Sequence, residues 1–207
     1  TMILISGATG TNGQEVIKQL AEKGIKVRAL VRNLEKGESL KPYGVELVEG
    51  DFSNPSSLEA ALQGVDKALM LPPIAPDAVE LQRNFIEAAK KAGTRYIVKF
   101  SAIGAASDSP MRLGRWHGDA EQLLADSGIA YCSLRPNGFM QNFLAFGSSI
   151  ANQGVFAQPG GSSSISHIDV RDIAAAIVET LLDDTVHAGK AYTLTGPESL
   201  SFDQEAE

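Results

Sequence analysis

The chain has 207 residues, of which 43% are hydrophobic and 21% charged, so it is long enough to bury one substantial core. It contains no apolar run near the roughly 20 residues of a membrane span. The net charge of −7 argues against a general binder of nucleic acid or anionic membranes, and the single cysteine, Cys132, excludes an internal disulfide or a multi-cysteine zinc site. The first residues lack the basic region and cleavage site of a signal peptide, so we expect one cytoplasmic domain over residues 1–207.

Short apolar strands alternate with amphipathic helices along the chain. Strands are predicted at residues 2–6, Lys26–Val31, Val45–Val48, Ala68–Leu71, Arg95–Phe100, Ile129–Arg135 and Ala191–Leu194. Helices are predicted around Val16–Ala21 with Gly24 as the stop, from Asn54 to Leu62, and over Asp77–Ala92, Arg112–Ser127 and Val170–Leu182. The alternation predicts an α/β fold, a Rossmann-like doubly wound parallel sheet with helices on both faces. The region Gly147–Ser166, rich in Gly, Ser, Asn and Gln, predicts a loop or flap.

A glycine-rich turn joins the first strand to the first helix. Gly7 permits a sharp turn, Gly10 allows the backbone to approach a pyrophosphate, and Gly13 allows the helix to pack closely on the strand. The alternative is an ordinary glycine-rich turn, but the strand–turn–helix context favours a nucleotide site in which the helix N-terminus meets phosphate. The predicted contacts in this turn are Gly7, Thr9, Gly10, Thr11, Asn12 and Gly13.

The end of the second strand usually selects the dinucleotide. An acidic residue there binds the ribose 2′-hydroxyl of NAD, whereas arginine pairs with the 2′-phosphate of NADP. This chain has Arg32 and then Lys36, which favours NADP(H) over NAD(H), although a solvated basic loop is the alternative. Further cofactor contacts are predicted where later strands end at the same edge of the sheet: Asp51 and Phe52 beside the adenine, then Leu71, Pro72, Ser101, Pro136 and Asn137.

Five segments together resemble the NmrA-like atypical short-chain dehydrogenases/reductases, particularly the triphenylmethane-reductase and NAD(P)H:quinone-oxidoreductase branch. They are Gly7–Gly13, Val31–Asn33, Gly50–Phe52, Leu134–Asn142 and Ile168–Ala174. The likeness extends over nearly the whole chain. Members are usually longer, with a C-terminal portion that helps to enclose the substrate. The resemblance therefore implies a truncated or unusually short member that lacks part of this region.

The wider superfamily carries a Tyr-x-x-x-Lys pair on the helix after the fifth strand, in which tyrosine exchanges the proton. No tyrosine here has a lysine four residues later. Aligning the stretch from Glu121 to Leu124 with the family puts Leu113 at the tyrosine position and His117 at the lysine position. The resemblance thus implies that His117 binds the ribose or supplies a proton, and Glu121, one turn further along the same helix face, is a second catalytic candidate. His117 as an ordinary polar residue of a half-buried helix is the alternative.

The remaining candidates are less specific. Phe139, Met140, Asn142 and Phe143 follow the sixth strand and either line a pocket for an aromatic acceptor or belong to the core. Cys132 alternates within a strand, which favours burial over a nucleophilic role. The group His167, Asp169 and Asp172 suggests a metal or triad at first sight, but the resemblance makes Asp169 a helix cap or first-turn residue, and we predict no metal.

These features support an oxidoreductase that transfers hydride from NADPH to a quinone-like or dye-like conjugated acceptor. A small aromatic acceptor is then the expected partner, since such molecules take hydride without first needing a proton from the protein. A non-catalytic NADP-sensing regulatory protein is the main alternative. A nucleotide-sugar epimerase is less favoured, because it needs the absent tyrosine–lysine pair. The sequence leaves the oligomeric state open.

Overall fold

The computed structural model describes residues 1–155 and 163–206. Its main sheet has seven strands, all parallel, in the order β3-β2-β1-β4-β5-β6-β8. A separate antiparallel pair is formed by β7 and β9. The strands are β1 Ile3–Ile5, β2 Val27–Val31, β3 Glu46–Glu49, β4 Lys67–Met70, β5 Tyr96–Phe100, β6 Ala130–Pro136, β7 Ser164–Ile165, β8 Ala191–Leu194 and β9 Leu200–Ser201.

Helices cover both faces of the main sheet. The α-helices are α1 Thr11–Glu22, α2 Leu34–Gly37, α3 Pro55–Leu62, α4 Ala78–Ala92, α5 Arg112–Asp126, α6 Gly147–Gln153, α7 Val170–Leu182, α8 Asp184–His187 and α9 Phe202–Ala206, with 3₁₀ helices at Glu38–Tyr43 and Met140–Phe146. Alternate side chains of each buried strand enter opposite cores. Ile3 and Ile5 join α1 and α7 in one core. Leu4 joins α3, α4 and α5 in the other.

The predicted fold class is confirmed: the sheet is parallel and doubly wound, with helices on both faces. Each predicted strand and helix of the main sheet is present, and most of their ends agree within one residue. Local signals explain this agreement. Asn54 accepts a hydrogen bond from the amide of Ser57, and Pro55 occupies the first position of α3, as the sequence predicts.

The prediction of a loop or flap over Gly147–Ser166 is wrong in part. Gly147–Gln153 forms α6, directly after a 3₁₀ helix, and Ser164–Ile165 forms β7. A composition rich in Gly, Ser and Asn favours turns, but it also suits the ends of helices. Gly154, with a φ of 65°, is the C-cap of α6. Residues 156–162 of this prediction lie outside the described residues. Within the described part, no helix combines the length and hydropathy needed to cross a membrane.

Candidate functional site

The strand order reverses between β1 and β4, and a cavity opens at the carboxyl ends of these two strands. In open α/β sheets this switch point is where ligands bind, because the connecting segments there diverge to opposite faces. The cavity has a volume of about 560 Å³. Its lining includes predicted cofactor contacts from four successive strand ends: Gly7, Thr9, Gly10, Arg32, Asp51, Phe52, Leu71 and Pro72.

The glycines of the first turn meet different steric demands. Gly7 has a φ of 61°, in the left-handed region that other residues rarely adopt. A Cβ on Gly13 would lie 2.2 Å from the carbonyl oxygen of Gly7, so the helix can approach the strand only with glycine there. A Cβ on Gly10 would meet only that same oxygen, at 3.3 Å. Packing within the protein therefore requires glycine at position 13 far more than at position 10, which lines the open cavity.

The start of α1 is suited to bind an anion. Its N-cap is Gly10, which has no side chain to cap the first-turn amides, and the first-turn residues include no acid. Unpaired amide groups and the positive end of the helix dipole then face the glycine turn. These features fit a diphosphate, so the residues of this turn are compatible with a dinucleotide.

Arg32 and Asp51 lie at the mouth of the cavity, after β2 and β3. Arg32 is exposed and forms no ion pair with any described residue, so its guanidinium is available to a ligand. Asp51 accepts hydrogen bonds from the hydroxyl and amide of Ser53, which lower the pKa of its carboxyl, with a smaller contribution from Arg32. Lys36 is exposed on α2 and is not part of the cavity lining.

Eight of the predicted cofactor contacts are not in the lining of this cavity: Thr11, Asn12, Gly13, Lys36, Ser101, His117, Pro136 and Asn137. Ser101 is buried after β5 and donates a hydrogen bond to Oε1 of Glu121 at 2.5 Å. Pro136 ends β6, and Asn137 uses its side-chain oxygen to accept from the amide of Gly138. Their contact with a dinucleotide stays a prediction. Both carboxylate oxygens of Glu121 also accept hydrogen bonds from the guanidinium of Arg135. This ion pair links α5 to β6.

The positions aligned with the superfamily's tyrosine and lysine come together in the structure. Leu113 and His117 both line a second, water-sized cavity of about 20 Å³. Pro72 and Pro73 line both cavities, so the small one adjoins the large one. An aliphatic side chain at position 113 offers no proton. His117 is thus the titratable group of α5 that lines this junction.

Lys99 is a residue of this region that the sequence analysis missed. It lies in β5 and is fully buried, and its Nζ is 2.7 Å from Oε1 of Gln82 and 3.1 Å from Nδ1 of His117. A lysine inside an otherwise apolar strand was a usable signal, because lysine is almost never fully buried without partners. Its partners come from α4 and α5, which sequence spacing does not bring together.

The proposed acceptor-binding residues adopt different environments. Phe139 packs against the core, with its ring 6.1 Å from that of Phe100 in an edge-on arrangement. Met140 is exposed at the start of a 3₁₀ helix that also contains Asn142 and Phe143. The ring of Phe143 lies 5.2 Å from the ring of His167. Phe139 thus belongs to the core, as one alternative predicts, whereas Met140 is exposed and available to a ligand, as the other requires. An acceptor site formed by these four residues stays a prediction.

Two sequence interpretations concern residues outside the cavities. Cys132 is fully buried in β6, and burial raises the pKa of its thiol to about 11. Asp169 caps α7 by accepting from the amide of Arg171, in agreement with the predicted structural role. His167 has Nδ1 2.6 Å from Oε1 of Glu205. Among the described residues, no group of three acidic, histidine or cysteine side chains is arranged to hold a metal.

A parallel sheet with a glycine turn and a cavity at its switch point defines a dinucleotide-binding α/β protein. Comparison with known sequences agrees with this class. The chain belongs to the NAD(P)H-binding family, whose model matches residues 7–184.

Relatives narrow the comparison further. An NAD(P)H azoreductase of Xenophilus azovorans is 43% identical over 200 residues, which cover 97% of this chain and 70% of that protein. An NADPH-dependent quinone oxidoreductase of Escherichia coli, solved with NADPH, has a TM-score of 0.89 at 34% identity and covers 99% and 72% of the two chains. Triphenylmethane reductase of Citrobacter sp., solved with NADP(H), has a TM-score of 0.89 at 28% identity, with coverage of 99% and 73%.

These findings confirm the resemblance to the NmrA-like branch. They also confirm two expectations at the level of class, namely an NAD(P)H cofactor and an NAD(P)H-dependent oxidoreductase. The extent of the substrate-binding region and the roles of individual residues stay predictions.

Proposed function

We propose that this chain is an NADPH-dependent reductase that transfers hydride directly to a conjugated electrophilic acceptor of the quinone or dye type, in the cytoplasm. The proposal depends on one observation, namely that the two cavities of the site lie side by side. A dinucleotide-sized cavity at the switch point of the sheet adjoins a small cavity whose α5 residues are Leu113 and His117. The azoreductase, quinone oxidoreductase and triphenylmethane reductase relatives support the class of acceptor.

The residues around the large cavity account for cofactor binding. The free first turn of α1 binds the diphosphate, and Gly10 leaves room for it. Phe52 provides an apolar wall and Asp51 a hydrogen-bond acceptor for the adenosine end. Arg32 pairs with the 2′-phosphate, which is the basis for preferring NADPH over NADH.

Bound NADPH supplies the hydride, so the chain has to hold the two reactants and exclude competing reactions. Carbonyl reduction needs an acid that protonates the oxygen as hydride arrives, and Leu113 stands where that acid would be. A quinone, azo compound or cationic dye accepts hydride without such prior protonation. The replacement of the usual tyrosine by leucine therefore favours these acceptors over simple ketones.

Cofactor oxidation with a panel of acceptors tests the proposal. Purified protein is incubated with NADPH and quinones, azo dyes, triarylmethyl dyes or simple ketones, and loss of NADPH absorbance is recorded. We expect turnover of the electrophilic acceptors and none of the ketones. Tight NADPH binding with no turnover of any acceptor would contradict the enzyme and support the NADP-sensing alternative. Absence of binding would contradict the cofactor site itself.

A further inference from the structure

Lys99 is the least expected polar residue of the core. Its side chain is fully buried, yet its ammonium group has three acceptors within reach. They are Oε1 of Gln82 at 2.7 Å, Nδ1 of His117 at 3.1 Å and the carbonyl of Phe100 at 3.5 Å. An ammonium has three hydrogens to donate, so this environment is matched to the protonated form. A lysine that served packing alone would not need a histidine nitrogen as a partner.

The hydrogen bond from Lys99 determines the tautomer of His117. Nδ1 accepts from the ammonium, so the ring proton of the neutral imidazole lies on Nε2. No described residue is hydrogen-bonded to Nε2, and His117 lines the small cavity. His117 therefore offers a donor, not an acceptor, to whatever enters this cavity.

Burial and nearby charges shift the pKa values of both Lys99 and His117. Burial lowers the pKa of Lys99 to about 7; Glu121 opposes this shift and Arg135 adds to it. Burial and then the charge of Lys99 lower the pKa of His117 to about 3, so the imidazole is neutral at physiological pH. Lys99 can therefore release a proton near neutral pH, which an exposed lysine cannot do.

We propose that Lys99 is a positioning residue and proton reserve that acts through His117 to protonate the reduced acceptor. The inference rests on the proposed function. Hydride from the cofactor adds its electron pair to a quinone and leaves a hydroquinone anion. The Nε2–H bond of His117 breaks as its proton passes to the water in the small cavity, which in turn gives a proton to the anionic oxygen, while a proton moves from the ammonium of Lys99 to Nδ1. The products are the neutral hydroquinone, the opposite tautomer of His117 and a neutral lysine amine.

A water in the small cavity completes the cycle. It passes a proton from bulk solvent to Nε2, and Nδ1 returns its proton to the amine of Lys99, which restores the starting state. The cavity, at about 20 Å³, has room for about one such water. The proton that the hydroquinone gains therefore comes, over the whole cycle, from bulk solvent.

Two acceptors separate this role from cofactor binding and hydride transfer. A quinone needs a proton after hydride transfer. A triarylmethyl cation does not, because hydride addition to its central carbon gives a neutral product. The test measures kcat and KM for both acceptors in the wild-type protein and in Lys99→Met. His117→Gln is a second variant, since glutamine keeps a hydrogen-bond acceptor for Lys99 but cannot pass a proton. The exposed Lys90→Met on α4 is the matched control.

We expect the ratio of quinone to dye kcat to fall about 100-fold in Lys99→Met and in His117→Gln, and to stay unchanged in Lys90→Met. In the wild type, quinone kcat falls as pH rises through about 7, because Lys99 must be protonated, whereas dye kcat does not. This pH dependence is lost in Lys99→Met. If both kcat values fall equally, or the ratio stays within twofold of the wild type, the relay is wrong and Lys99 is structural.

Other outcomes are equally decisive. If Lys99→Met does not fold, as judged by circular dichroism, the ratio and pH profile of His117→Gln decide the matter. If the wild type binds NADPH but reduces neither acceptor, the proposed function fails and the relay fails with it. That result differs from failure of the relay alone, in which both acceptors are reduced and the ratio does not move.

Discussion

Gly10 and Gly13 lie three residues apart in one turn, but substitution of each has a different consequence. At position 13 a Cβ meets backbone at 2.2 Å, which the protein cannot relieve without moving α1 away from β1. At position 10, which lines the cavity, a Cβ would meet only the carbonyl oxygen of Gly7, at 3.3 Å, so the neighbouring backbone needs to yield only slightly. Close packing thus requires glycine at position 13, whereas we propose that glycine at position 10 leaves room for the ligand.

Alanine at these two positions provides a matched pair. We expect Gly13→Ala to lower the free energy of unfolding by about 2 kcal/mol, measured by urea denaturation. Gly10→Ala should change that free energy by less than about 1 kcal/mol but weaken NADPH binding at least about tenfold in titration calorimetry, because its methyl group occupies space next to the diphosphate. Equal effects of the two variants on stability would contradict this division of roles.

Arg32 tests the choice of dinucleotide. We expect Arg32→Ala to weaken NADPH binding about 10- to 100-fold, the usual range for a lost charge-assisted hydrogen bond, with little change for NADH. Fluorescence titration with each cofactor measures the two affinities. Arg83→Ala, which removes an exposed arginine from α4, is the control and should alter neither. An equal loss for the two cofactors in Arg32→Ala would show that Arg32 does not contact the 2′-phosphate.

At the residue scale, the sequence predicts what is set by neighbours along the chain. The glycine turn and Arg32 each occupy a fixed place relative to a strand end, and the structure brings them to one cavity. Lys99 depends on Gln82 and His117, which reach it from two separate helices. Ser101 and Asn137 also follow strand ends, but the Ser101 hydroxyl donates to Glu121 and the Asn137 side-chain oxygen accepts from the amide of Gly138. Position along a strand does not determine such partners.

Among the elements, α7 and α8 are fastened to the sheet by a buried charge. Lys67 of β4 donates to the carbonyls of Leu181 and Leu182 at the end of α7, and to Asp184 at 2.6 Å. Arg95, just before β5, also pairs with Asp184. These contacts hold the end of α7 at the amino ends of β4 and β5, whereas the large cavity lies at the carboxyl ends of the strands. The hydrogen bond from Lys67 is the largest cause that lowers the pKa of Asp184, to about 2.

Asp184→Asn should therefore destabilise the protein in a pH-dependent way. Because the folded-state pKa is below the ordinary 3.8, the carboxylate stabilises the fold fully above about pH 5, and this contribution disappears as pH falls through 2. We expect a loss of about 2 kcal/mol at pH 7 and a smaller gap between variant and wild type at pH 3, by urea denaturation. Asp126→Asn, on the exposed side of α5, is the control. A gap that is constant with pH would exclude the charge as its cause.

Long helices can be predicted from sequence because they contain several turns of apolar periodicity, whereas very short helices and strands do not. The 13 residues of α7 give several turns of apolar periodicity and a capping aspartate. By contrast α2 and α8 have four residues each, too few for a period, and they depend on caps from Asn33 and Asp183. Among the residues that the structure describes, the two-residue strands β7 and β9 pair with each other. Their partner lies more than 30 residues away along the chain, so local pattern does not indicate it.

For the molecule as a whole, the reversal of strand order couples the proposed cofactor site to the stability of the entire fold. The cavity is lined by segments that follow β1, β2, β3 and β4, so a ligand there contacts much of one half of the sheet. A ligand that binds the folded state alone stabilises it by mass action. We expect NADPH at 100 times its Kd to add about 2.7 kcal/mol and to raise the melting temperature by about 5–10 °C.

Differential scanning fluorimetry measures this shift. NADH at the same concentration should raise the melting temperature less, because it lacks the phosphate that Arg32 is proposed to bind. AMP alone, which occupies only the adenosine end, should give a smaller shift than either dinucleotide. If NADPH produces no shift at saturating concentration, the cavity is not the cofactor site.

The burial of the Cys132 thiol affects how the protein would withstand quinones, the acceptors that we propose it reduces. Quinones arylate thiolates, so an enzyme that reduces them risks self-inactivation by its own substrate. This sequence has one cysteine, it is fully enclosed in β6, and burial raises its pKa to about 11, which leaves almost no thiolate at neutral pH. The Cys132 thiol is therefore protected against alkylation while β6 stays folded, and it should react with electrophiles only where unfolding exposes the strand.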